Sequence, residues 1–236
     1  MAHINTKKKI IIALSSLFVF SEWVFGVLAQ RLTGDEWGVS SFISIVLVAL
    51  FMLLFAERSL EYVFTQAALV FTVCADYFLV LNGAEKKLLA MIFFSLTQLF
   101  YAARIFLKTR NTRLNLPHLA VRMSVSLIAV ILTVFVLGND TDALSVVSVF
   151  YYAHLLTNVV FAFLVKGETP LFSIGLLLFS LCDLFVGFGM LDSYLPVADG
   201  SFVDRLNKIP LNMAWLFYTP SQTLLGLSLL PGKLRK

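Results

Sequence analysis

The sequence predicts an all-α integral membrane protein, a bundle of eight transmembrane helices, and three observations predict it. Of 236 residues, 59% are hydrophobic and 14% charged, against about 45–50% and about 25% in soluble domains. The apolar residues fall into runs of roughly 20, the length that crosses a hydrocarbon core of about 30 Å at about 1.5 Å per residue. Polar, turn-forming residues collect between the runs.

The runs place spans at about 10–30, 40–56, 61–82, 88–107, 118–138, 143–166, 169–191 and 211–230. The first follows Lys7, Lys8 and Lys9; it is long for a signal-peptide core and carries Glu22, so it reads as a span. The second follows "RLTGDEWG" and is almost unbroken apolar sequence, ending before Arg58. The third and fourth are joined near Lys86 and Lys87, and the fourth gives way to Lys108, Arg110 and Arg113. "LGNDTDA" separates the fifth from the sixth, Lys166 closes the sixth, and the long stretch 192–210 separates the seventh from the eighth. The whole chain, 1–236, reads as one polytopic transmembrane domain.

With the N-terminus in the cytoplasm, thirteen basic residues fall on or near that side (Lys7, Lys8, Lys9, Arg58, Arg104, Lys108, Arg110, Arg113, Arg122, Lys166, Lys233, Arg235 and Lys236). Five fall on the other: Arg31, Lys86, Lys87, Arg205 and Lys208. Eight spans with both termini inside thus satisfy the positive-inside rule. The net charge of +4 reflects this distribution and gives no reason to expect a nucleic-acid partner. The two cysteines, Cys74 and Cys182, lie inside apolar runs and form neither a disulfide framework nor a zinc spacing.

An ionisable residue within a span costs a few kcal/mol or more, so it faces a bundle interior or a wet cavity. At about 100° per residue, six spans gather polar residues on one face. The third presents Tyr62, Gln66 and Asp76; the seventh Ser173, Ser180, Asp183 and Gly187. The eighth presents Asn212, Trp215, Tyr218, Thr219, Gln222 and Gly226. The sixth aligns Ser148, Tyr151, His154 and Asn158, the fourth Ser95, Gln98 and Tyr101, and the first Ser15, Glu22 and Gly26. The second and fifth have no such stripe and are expected at the periphery.

The serines Ser15, Ser95, Ser148 and Ser173 read as hydrogen-bonding glue between helices. Asp76 and Asp183 do not, because glue needs no carboxyl; each comes about fifteen residues into its span, so the two share a depth. "CADYFLVL" followed by "SLTQLFYAARI" also parallels "LCDLFVGF" followed by "AWLFYTPSQTLLGL", which suggests two pseudo-repeated four-helix halves. Only His154 of the three histidines reads as deep, so no metal and no cofactor is implied.

At these residues the sequence resembles the YhhN family of eight-span membrane proteins, which includes the animal transmembrane lysoplasmalogenases. The matching residues are Asp76 in "ADYFLVL", Tyr101 in "QLFY", Asp183 in "CDLF", and Tyr218 and Gln222 in "YTPSQ". Gln98 stands where the family pattern has a histidine, Cys182 where it has a serine, and Pro220 interrupts the last motif. The resemblance implies hydrolysis of the vinyl-ether bond of lysoplasmalogens to a fatty aldehyde and glycerophosphoethanolamine or glycerophosphocholine.

Asp76 and Asp183 are then the expected catalytic pair, one a neutral acid and one a carboxylate. Glu22, Gln98, Tyr101, His154, Asn158, Tyr218 and Gln222 are the expected substrate-binding residues. The headgroup is expected near Trp37, Asp192 and Arg205. The partners expected are a lysophospholipid and the surrounding membrane lipids, in a bacterial cell membrane. Two other readings fit the residues: a non-catalytic lipid-binding relative, and a small-molecule transporter, since polar groups near a midplane also mark transporters. Against transport, only the eighth span shows a break.

Overall fold

The computed structural model describes residues 2–33, 37–55, 58–81 and 86–229. Among them the chain is all helical: α1 (Ala2–Thr33), α2 (Trp37–Phe55), α3 (Leu60–Asp76), α4 (Lys87–Thr109), α5 (Asn115–Leu137), α6 (Ala143–Leu164), α7 (Pro170–Met190), α8 (Phe202–Asn207) and α9 (Met213–Leu227). Each of the eight expected runs coincides with a helix, and from the second onward every boundary lies within three residues of the expected one once the helical continuation of α3 to Leu81 is included. Five helices, with their short continuations, are long and apolar enough to cross a membrane: 60–80, 87–109, 115–140, 143–164 and 170–193. The chain is an integral membrane protein.

The ends of these helices follow from local side-chain chemistry. Ser59 accepts from the backbone N–H of Tyr62 at 3.1 Å and starts α3. Asp142 and Ser145 form a reciprocal capping box that starts α6. Thr169 caps α7, whose first residue is Pro170, a position where the missing N–H costs no helical bond. Asn212 caps α9 through the N–H of Trp215 at 3.3 Å. Gly138, at φ +54°, turns the chain out of α5. The long connection before α9 is not featureless: Ser201 caps the short helix α8, and Asp204 takes both the N–H of Gly200 at 2.8 Å and Lys208 Nζ at 2.7 Å.

Helix α9 is the centre of the bundle, packed against α7, α1, α2 and α3, while α3 also packs along α4 and α6 touches α4, α5 and α7. Two glycines let α9 in close. A Cβ at Gly175 would lie 2.9 Å from Leu225 Cγ, and one at Gly226 would lie 2.6 Å from Val48 Cγ1. Small residues that admit a neighbouring helix are how membrane bundles pack without a hydrophobic driving force. The apolar side chains left outside, such as Leu54 on α2 and Phe135 on α5, form the surface a lipid environment requires. Helix α5 is peripheral as expected, yet its His118, Arg122 and Ser126 are buried.

Candidate functional site

Asp76 is the last residue of α3 before the helix widens into a π-helical segment, Tyr77–Leu81. Such segments are rare and recur at functional sites. The sequence reading found a break only in the last span; the structure adds this one, at the aspartate itself. Asp76 is wholly buried, and Tyr218 Oη on α9 donates to its Oδ1 at 2.7 Å. Its Oδ2 has no hydrogen-bond partner among the described residues.

Asp183 lies late in α7, and its Oδ2 accepts from Tyr151 Oη on α6. The two tyrosine rings sit against the same pair of phenylalanines. Phe94 is 5.7 Å from Tyr151 and 6.4 Å from Tyr218; Phe179 is 6.4 Å and 5.4 Å from them. Each carboxyl therefore has its own phenol, and an aromatic cluster locks both phenols.

Both aspartates line one cavity of about 860 Å³, within the range of about 300–1,000 Å³ usual for single-ligand sites. Its walls are mostly apolar. Leu132 and Val136 of α5, both more than half exposed, form part of one wall, so the cavity reaches the lipid-facing side of the bundle. It extends past the ends of α4, α5, α6, α7 and α9, where Lys87, Leu137, Ser145, Leu191, Tyr194 and Asn212 lie. An acid pair at the bottom of an apolar slot suits chemistry on an apolar chain with a polar end.

Of the expected site residues, Asp76, Asp183 and Tyr218 line this cavity. Tyr151, present on the sixth-span stripe but not singled out, joins them. Tyr101, an expected substrate-binding residue, is not part of the lining; it is fully buried, with its ring edge-on to Phe172 at 5.5 Å and its hydroxyl without a partner among the described residues. Gln222, one turn beyond Tyr218, is also fully buried and unpartnered among them. Glu22 sits apart, at the seam of α1 and α9, where Thr223 Oγ1 donates to its Oε1 at 2.9 Å. Asp192 and Arg205 are exposed on the connection before α9 and are not part of the lining; the side chain of Trp37 lies outside the described residues.

Gln98, His154 and Asn158 belong to a second group, built around Arg122. That arginine counts in the sequence as a basic residue near a membrane edge, and His118 reads as an edge residue too, but both are buried. Arg122 Nη1 donates to His154 Nδ1 at 2.8 Å, and Nη2 donates to His118 Nε2 at 3.0 Å and Asn158 Oδ1 at 2.6 Å. A guanidinium only donates, so His154 carries its proton on Nε2 and His118 on Nδ1. Asn158 in turn donates to Gln98 through the backbone oxygen at 2.9 Å and Oε1 at 3.0 Å. The single polar layer read from the sequence is thus two groups, one around the carboxyls and one around a cation.

A third set ties the opposite end of the bundle together. Arg104 is fully buried, pairs with Glu168 at 2.7 Å, donates to Thr65 and Ser228 at 2.8 Å each, and stacks over the Phe172 ring at 3.9 Å. Lys108 joins Glu168 at 3.2 Å and Glu61 at 3.1 Å. No sequence signal separates these arginines from ordinary loop charges, because all their counterparts but His118 lie 32 to 124 positions away and only packing brings them together.

A model of the YhhN family matches residues 36–229, most of the chain. Comparison with curated proteins gives no match, and comparison with solved structures gives none.

Proposed function

The chain belongs to the YhhN family, and we propose that it is a lysoplasmalogenase-like hydrolase, of eight spans with both termini cytoplasmic, that cleaves the vinyl-ether bond of a lysoplasmalogen. The observation that carries the reading is the pairing of two carboxyls in one apolar cavity, each held by a tyrosine hydroxyl. Family membership supports the chemistry, and the cavity supports the substrate class.

Vinyl-ether hydrolysis begins with a proton delivered to the β-carbon of the C=C bond. The π electrons form the new C–H bond, and the ether oxygen shares the positive charge left on the α-carbon. Water then adds to that carbon and gives up a proton, leaving a hemiacetal. The hemiacetal hydroxyl then gives up its proton and forms the C=O bond as the C–O bond to the glycerol breaks; the glycerol oxygen takes a proton in turn, and an aldehyde is released. No redox partner is needed, and the proton given at the start is regained when water adds.

Asp76 and Asp183 fit the two roles, one as the acid and one as the carboxylate that faces the cation and takes the proton from water. Tyr218 and Tyr151 hold each carboxyl in place and present one oxygen of each to the reaction. Gln98 does not lie on the cavity in this arrangement; with Asn158 it supports the helix α4 from which Phe94 projects. The loss of a titratable group at position 98 is therefore compatible with chemistry carried by the aspartates alone.

The test is aldehyde release by the purified protein from a lysoplasmalogen and from its saturated-ether analogue. Release from the first alone, abolished by Asp76→Asn and by Asp183→Asn, is expected. A wild-type protein that releases none sinks the reading. One observation favours transport instead: the helices that carry Asp76 and Tyr218 are both irregular there, by the π segment and by Pro220. Substrate flux into protein-containing liposomes without hydrolysis would establish it.

A further inference from the structure

We propose that Lys87 is the specificity-determining residue of the cavity and binds the phosphate of a single-chain glycerophospholipid. The inference rests on the reading of the cavity as a lipid site, but not on the reaction performed there.

Lys87 opens α4, lies half-buried at the cavity rim, and is the only basic residue among the described residues that line the cavity. It makes no ion pair among the described residues. Among the described residues, three other polar groups at the rim are already engaged. Tyr194 Oη bonds the Asp142 carboxylate at 3.2 Å, Ser145 completes the α6 capping box, and Asn212 Oδ1 accepts from Trp215 N–H. One charge is left uncommitted, above a slot with two carboxyls at its base.

Those carboxyls alone would repel an anionic headgroup, and a lysine at the mouth reverses that local field. The spacing also fits. From Lys87 to Phe94, the ring between the two aspartate-bound tyrosines, is seven residues of helix, about 10 Å. In a 1-ether-linked lysophospholipid five single bonds of about 1.5 Å separate phosphorus from the ether oxygen, an advance of roughly 6 Å. A further ~4 Å brings phosphorus to a lysine Nζ at ion-pair distance. A phosphate on Lys87 therefore sets the ether oxygen at the level of the carboxyls. A chain lacking the phosphate has nothing to fix that depth.

The test uses saturated 1-alkyl lysophosphoethanolamine, which cannot be hydrolysed as a vinyl ether, and 1-alkylglycerol, which lacks the phosphate, with binding to the purified protein measured by native mass spectrometry. Lys87→Ala should weaken the first roughly five- to tenfold and leave the second within about twofold. Lys87→Arg should retain binding, and Lys86→Ala, altering an exposed neighbour, should change nothing. Equal binding of both ligands by the wild type overturns the proposal, as does a Lys87→Ala protein that keeps both or loses both together. Inorganic phosphate that displaces the lysophospholipid at equal concentration makes the site one for free anions and also overturns it. Because neither ligand is a substrate, silence in the aldehyde assay leaves this outcome unaffected, and the two readings fail separately.

Discussion

Tyr218 Oη donates to Asp76 Oδ1 at 2.7 Å across 142 positions of sequence, and this bond joins the irregular end of α3 to the central helix α9. It is the contact that turns an aspartate in an apolar run into a held carboxyl whose other oxygen has no partner among the described residues.

Removing that donor leaves the carboxyl in place and unheld. Tyr218→Phe should lower kcat for aldehyde release by about 10²-fold, with KM changed by less than about threefold, the pattern of an interaction that matters more in the transition state than in binding. Tyr151→Phe should act in the same way through Asp183. A change confined to KM in both variants would contradict the assignment of the phenols to the carboxyls.

The glycines at the contacts of the central helix, Gly175 on α7 and Gly226 on α9, make a stability prediction independent of function. Gly175→Ala places a Cβ 2.9 Å from Leu225 Cγ and 3.2 Å from the Leu225 backbone nitrogen, where the neighbour cannot swing away. Gly226→Ala meets Val48 Cγ1 at 2.6 Å. Each should destabilise the protein by about 1–3 kcal/mol, read as a lower melting temperature in detergent. Gly187→Ala, where nothing lies within 4 Å, should melt like the wild type.

Outside the spans, Glu168 gives stability a pH dependence. Burial pushes its carboxyl up, but the charges of Arg104 and Lys108, with the hydrogen bonds from Arg104 and the Thr169 N–H, outweigh burial and hold it below the ordinary glutamate value. A depressed folded value means the unfolded state binds the proton more readily. The stabilisation is therefore complete above the ordinary value of about 4.3 and is lost as pH falls through the folded one. The melting temperature should drop across that acidic window, and Glu168→Gln should flatten this part of the profile while lowering stability at neutral pH. A wild-type profile as flat as that of the variant would count against the pairing.

Arg122 supports three acceptors at once, so truncating it should cost more than a surface charge. Arg122→Met leaves Asn158 Oδ1, His154 Nδ1 and His118 Nε2 without their donor and should destabilise by about 2–4 kcal/mol in thermal or denaturant unfolding. Lys at this position should recover only part of that, because a point charge cannot reach three acceptors in one plane as the guanidinium fork does. Full recovery by lysine would mean that charge alone matters there.

The sequence by itself determined the class of protein, the helices and the two aspartates. Run length and apolar composition are local properties, and a carboxyl within such a run is costly wherever it is, so Asp76 and Asp183 stand out without any structure. Caps such as Asp142 with Ser145, and Thr169 with Pro170, also act over three or four residues. Only the tertiary structure decided the partners. A 100° helical projection gives the face a residue occupies but not which helix comes to meet it. Only the packed bundle shows that Tyr218 holds Asp76 and Tyr151 holds Asp183. The same reason hid Arg104, Arg122 and His118, whose charge or position suggests a membrane edge until packing buries them. It also hid Lys87, which counts as one loop cation among five until the ends of five helices enclose the cavity it overlooks.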